Sequence, residues 1–133
     1  MNYRLLSILN AIVVAAFGAL FLVVPEAGLN LFGSETYTAT IFVARFMGAV
    51  MVLAGMFIWV AKDLAETGVA RTMTIMLLTS SVVGFILTLM GMLGAGVIRQ
   101  NGWILLVIHI LFALGYGYLV SGVTITASKN SSK

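Results

Sequence analysis

Ala39-Thr-Ile-Phe-Val-Ala-Arg-Phe-Met-Gly-Ala-Val-Met-Val-Leu-Ala-Gly-Met-Phe-Ile-Trp-Val-Ala61 carries a single charge, Arg45, in an otherwise apolar run. A bilayer core of about 30 Å is crossed by about 20 apolar residues of helix. Backbone amides in hydrocarbon must pair within their own segment. The stretch therefore predicts a membrane-spanning helix. Three more runs of the same kind, 5–24, 72–98 and 103–126, use up nearly all the rest of the chain. The expected fold is all-α: a four-helix transmembrane bundle running up-down-up-down, with residues 1–133 as one membrane-embedded domain.

Composition agrees. Hydrophobic residues make up 62% of the chain and charged residues 8%, against about 25% charged in a soluble domain. Cysteine is absent, which removes disulfides, thiol redox chemistry and thiolate metal sites. His109 is the single histidine, so a multi-histidine metal site within one chain is excluded. No cofactor and no metal are expected. The net charge of +3 comes from basic residues scattered near helix ends, with no basic run interleaved with aromatics, so no nucleic-acid partner is expected. The first apolar run exceeds the usual 7–15 residues of a signal-peptide core and lacks a small-x-small site before Pro25, and it reads as a retained helix.

Charge also orients the chain. With the amino terminus in the cytoplasm, Arg4, Lys62, Arg71, Lys129 and Lys133 fall inside, while the outer loops hold Arg99, Glu26 and Glu35. The positive-inside bias thus places both termini in the cytoplasm. The outer loop 25–38 mixes Leu29, Leu31 and Phe32 with Asn30, Ser34, Glu35 and Thr36, which suits either a half-buried interfacial turn or a surface loop. The second outer connection, 99–102, is a tight Asn-Gly turn. Trp59, Trp103, Tyr3 and Tyr37 fit aromatic belts at the two interfaces.

Small residues recur seven apart in every run: Ala11 and Gly18, Gly48 and Gly55, Gly84 and Gly91, Gly115 and Gly122. Helices in lipid associate through close packing of such residues. These faces either form the bundle interior or meet another protein chain. Gly91, Gly94 and Gly96 admit another backbone at the outer end of the third helix. The methionines, Met47 and Met51 among them, read as adaptable filler.

Two ionisable residues lie inside the runs. Arg45 and His109 each sit about six residues from an outer end, roughly 9 Å deep at 1.5 Å per residue. An intramembrane charge needs a partner or a function. The sharper expectation is an outer polar cluster of Glu26, Arg45 and His109, with Glu35 as a spare acid. Such a cluster would bind an anionic headgroup or small anion, or relay protons through His109. The plainer one is a structural ion pair, with His109 bonded to a backbone carbonyl. No Asp or Glu lies at mid-membrane, and no catalytic set can be assembled.

The segment Phe42-Val-Ala-Arg-Phe-Met-Gly through Gly55 and Trp59 to Lys62, together with Gly102-Trp103 through His109 to Phe112, Leu114 and Gly115, resembles small four-helix bacterial membrane proteins of the DoxX-like superfamily. That resemblance implies a four-helix bundle in the bacterial inner membrane and an association with membrane oxidoreductases. The lack of cysteine argues against a thiol-redox role. The expected function is non-catalytic: a multi-pass accessory or structural subunit of the cell membrane that packs with itself or with another membrane protein. The competing class is a small oligomeric transporter or channel for an anion or proton, using Arg45 and His109.

Overall fold

In the computed structural model the chain is described over residues 3–63, 68–94 and 96–130, with 122–130 described by backbone alone. The element order is α1 (Tyr3–Val23), α2 (Pro25–Leu31), α3 (Thr38–Ala61), α4 (Gly68–Leu89) and α5 (Gly102–Asn130). α1, α3, α4 and α5 are each long and apolar enough to cross a membrane. The end carrying α2 and the 96–101 connection is called distal below. The end carrying Tyr3, Lys62 and Asp63 is proximal.

α1 and α3 pack most closely, and the reason is the absence of side chain between them. A Cβ built on Gly18 would stand 2.9 Å from the Gly48 carbonyl oxygen and 2.7 Å from the Val52 nitrogen. One built on Gly55 would stand 2.9 Å from Ala15 Cβ and 3.0 Å from the Ala11 oxygen. Such proximity replaces the missing hydrophobic drive with dense dispersion contact. The pair is also tied at its proximal end. The Tyr3 hydroxyl donates to the Ala61 carbonyl at 3.3 Å, and Arg4 Nε lies 3.2 Å from the Asp63 carboxylate.

α4 and α5 form the second close pair, and α1 meets α5 more lightly. In the proximal half, Leu6 of α1 joins Phe112 and Tyr116 of α5 in a small core, with Leu77 and Leu78 of α4 packed on it. α3 lies against α1 on one flank. The four spans are thus two hairpins joined along α1 and α5.

Three stretches differ from expectation. The 25–38 connection is not a plain loop: Pro25 opens a seven-residue helix, α2, whose Gly28 and Leu29 are buried. Proline suits that first helical position because its missing N–H has no partner there in any helix. The third span was expected over 72–98, but α4 starts at Gly68 and its continuation ends at Gly94 in a π-helical turn, Met90–Gly94. Glycine lowers helix propensity by about 1 kcal/mol relative to alanine, and three occur within six residues here. The chain reverses at Gly96, with φ +59°, and the Val97 and Ile98 amides donate back to the Gly91 carbonyl at 2.9 and 3.1 Å. Past Gly94 the apolar run continues as a turn, with Ile98 packed on Gly91, 3.0 Å from where its Cβ would be, and Val97 exposed. The last helix reaches Asn130 rather than residue 126.

A distal apolar chamber and its polar surroundings

α2 and the 96–101 connection are knitted into a cap. The amides of Arg99 and Gln100 both donate to the Phe32 carbonyl, at 2.9 and 3.0 Å. Asn101 Nδ2 donates to the Leu31 carbonyl at 2.8 Å, and the Ser34 hydroxyl to the Val97 carbonyl at 2.8 Å. Asn101 takes φ 52°, a left-handed conformation that asparagine tolerates better than most residues. On the surface, Arg99 Nη2 bonds Glu35 Oε1 at 2.9 Å. The Tyr37 hydroxyl and the Arg99 guanidinium hold the Glu35 carboxyl below the usual carboxylate range.

Beneath the cap lies a cavity of about 320 Å³. Its back is α1 (Val13, Val14, Phe17, Phe21), and its roof is Leu29, Phe32 and Ile98. Phe32 is 4% exposed and stacks on Phe17 and Phe21, with centroids 6.2 Å away in each case. Met47 and Met51 of α3 form one side, and Leu105, Ile108 and His109 of α5 the other. Two polar side chains border the space, Ser34 and His109. The Ser34 hydroxyl is spent on the cap.

His109 is placed by a glycine. A Cβ on Gly84 of α4 would stand 2.7 Å from Nε2 and 2.8 Å from Nδ1, with Cε1 nearer still. Near-equal distances of this kind mean that the ring lies face-on to α4. An edge-on ring would put both nitrogens much farther away than Cε1. The nitrogens therefore lie at the ring edges, and the ring borders a cavity on each side of the α4–α5 seam. Among the described residues no hydrogen bond reaches the imidazole. A polar group left unpaired in an apolar site costs about 1–3 kcal/mol.

The four residues expected to cluster divide differently. Glu35 pairs with Arg99. Glu26 lies exposed in the first turn of α2. Arg45 follows buried Ala44 by one residue, which turns it off the α1-facing stripe, and it is exposed on α3. Among the described residues, no ion pair joins Arg45 or His109 to Glu26 or Glu35. Of the small residues, Gly18, Gly48 and Gly55 lie in the α1–α3 seam, Gly84 carries the imidazole, Gly91 packs on Ile98, and Gly115 is buried. Gly122 lies outside the residues whose surroundings are described.

A second polar group links the hairpins in the proximal half. Asn10 Nδ2 donates to the Tyr116 hydroxyl at 3.0 Å, buried between α1 and α5. Ser7 is wholly buried next to that hydroxyl, but its own oxygen makes no well-formed hydrogen bond. Tyr118, two residues on, is 64% exposed. Sequence reasoning did not reach this pairing, which depends on the relative rotation of two helices. It also missed the Phe17, Phe21 and Phe32 stack. The four-residue spacing of Phe17 and Phe21 was the available signal. Among the described residues no group of three acidic or histidine side chains converges as a metal site would require. No protein-family model, curated protein or solved structure shows significant similarity to the chain.

Proposed function

We propose that this chain is a non-catalytic integral membrane subunit, assembling with copies of itself or within a larger membrane complex, with its termini cytoplasmic and its distal cap outside. The observation that carries the reading is the outward face of α3. That helix packs on α1 through one narrow stripe of Ala44, Gly48, Gly55, Ile58 and Ala61. The rest of it displays Phe42 at 72% exposure and Phe46 at 66%, with Arg45 between them. A guanidinium at that depth is costly beside lipid tails alone. A carboxylate or polar groups from a neighbouring chain would relieve it. Burial within the single chain is also sparse: 11% of the most apolar window of α4, and the same share in α5. The DoxX-like resemblance fits a subunit of this kind.

Native mass spectrometry of gently solubilised protein tests the proposal. A defined oligomer or a co-purifying membrane protein, weakened by Arg45→Ala, is the expected result. A monomer carrying lipid alone, in several mild detergents, would overturn it. Anion or proton flux in proteoliposomes that Arg45→Ala abolishes would replace the subunit reading with a carrier.

A further inference from the structure

We infer that the distal cavity is a binding site for an uncharged, lipid-soluble molecule with one hydrogen-bonding oxygen, of the class of long-chain alcohols and ketones, admitted sideways from the bilayer. Three observations support this.

The first is access. The cap closes the distal end through backbone and side-chain hydrogen bonds between α2 and the 96–101 connection. α1 closes the back. Met51 on α3 and Leu105 on α5 both line the space, and their two helices make no extended contact with each other. The remaining gap faces the side, where lipid lies. A solute from water meets the cap, whereas a solute from the leaflet meets an opening.

The second is lining. Among the described residues no charged side chain borders the space, so an ion would enter without a counter-charge, which is prohibitive in so apolar a site. Apolar walls with few convergent polar groups are the usual form of a small-molecule site, and 320 Å³ falls at the small end of the usual range of about 300–1,000 Å³. Taking the share of one water, about 30 Å³, as the unit, the space holds about ten methylene-sized groups. A longer chain would trail through the gap into the leaflet.

The third is His109. Its ring is fixed face-on to Gly84, borders the cavity and is not engaged by the protein among the described residues. An imidazole can donate to a carbonyl or hydroxyl oxygen, or accept from a hydroxyl. Among the described residues it is the one side-chain donor of the lining left unspent, since the Ser34 O–H is donated to the Val97 carbonyl.

The test uses full-length protein in lipid nanodiscs and two photoreactive probes, a diazirine-bearing dodecanol and the matching diazirine-bearing dodecane, with adducts mapped by peptide mass spectrometry. The alcohol should label Met51 and Leu105 at least fivefold over the lipid-facing Phe46 and Phe57. Unlabelled dodecanol should compete at roughly tenfold lower concentration than dodecane. His109→Phe should erase that tenfold preference while leaving the labelled positions unchanged, and His109→Gln should restore it in part. Met51→Trp, which fills the space from α3, should remove labelling at Leu105. Should His109→Phe fail to fold, the alcohol-over-alkane preference of the wild-type protein still decides. Even labelling of cavity and lipid-facing residues would overturn the site. Equal competition by alcohol and alkane, or a preference that survives His109→Phe, would overturn the role of the imidazole and with it the ligand class.

Discussion

Gly48→Ala adds one methyl group where the structure has no room for it. The new Cβ would stand 2.7 Å from the Gly18 carbonyl oxygen and 2.8 Å from the Phe21 carbonyl carbon, with the Leu22 nitrogen closer still, against an ordinary contact that begins at 3.4 Å. All three are backbone atoms of α1, so no side chain can rotate away. Relief requires the helices to part by at least about 0.7 Å, the shortfall against 3.4 Å at the Gly18 oxygen, and by more at the Leu22 nitrogen. A gap of about 0.5–1 Å forfeits roughly a quarter to a half of each dispersion well, and a patch the size of one buried leucine holds about 40–60 atom pairs at about 0.1–0.2 kcal/mol. At the midpoints of pair number and well depth the loss comes to about 2–4 kcal/mol, overlapping the roughly 1–3 kcal/mol typical of overpacked cores. Gly117→Ala is the control. Nothing lies within 4 Å of the Cβ it would add, and the change should stabilise by up to about 1 kcal/mol through helix propensity. Reversible unfolding by SDS in mixed micelles, followed by circular dichroism, measures both. A Gly48→Ala variant within about 0.5 kcal/mol of wild type, or one no worse than Gly117→Ala, would refute the close α1–α3 seam.

Three further outcomes are expected. Tyr116→Phe removes the acceptor for Asn10 Nδ2. It should cost about 0.6–1.7 kcal/mol, the span from average to largest for hydrogen bonds between membrane helices, and a double-mutant cycle with Asn10→Ala should return most of that as coupling. Ser7→Ala, by contrast, removes a buried hydroxyl that lacks a well-formed bond and should be neutral or slightly stabilising in the same unfolding assay. At the cap, the Glu35 carboxyl is held below its ordinary value by Tyr37 and Arg99. Its contribution is therefore present above the usual carboxylate range and lost as pH falls through the lowered value. Amide hydrogen exchange at Arg99 and Gln100, whose amides bond Phe32, should lose protection on acidification beyond the intrinsic change in exchange rate. Glu35→Gln should abolish that extra loss.

Much of the fold was legible because lipid imposes a simple rule. Long runs without charge must be helices, and short connections force neighbours to be antiparallel. The seven-residue spacing of Gly48 and Gly55 shows in the sequence because a heptad keeps both on one face. The candidate site was less legible. Arg45 and His109 were correctly seen as the ionisable residues within the runs, yet their equal depth says nothing of azimuth. One residue after buried Ala44, Arg45 turns outward. His109 meets a glycine of α4 rather than a carboxylate. Glu35 finds Arg99 because the cap brings two distal connections together, and both residues lie outside the spans.

Sequence by itself determined the number of crossings, their helical form and their alternating direction, since these follow from apolar length and from the backbone's need to pair its own amides. Tertiary structure alone decided which faces meet, where α4 stops, and that a chamber opens beneath the cap. Those outcomes depend on helix rotation and on atomic-scale fit between glycine backbones, aromatic rings and a single imidazole. A one-dimensional pattern of hydrophobicity does not encode such distances.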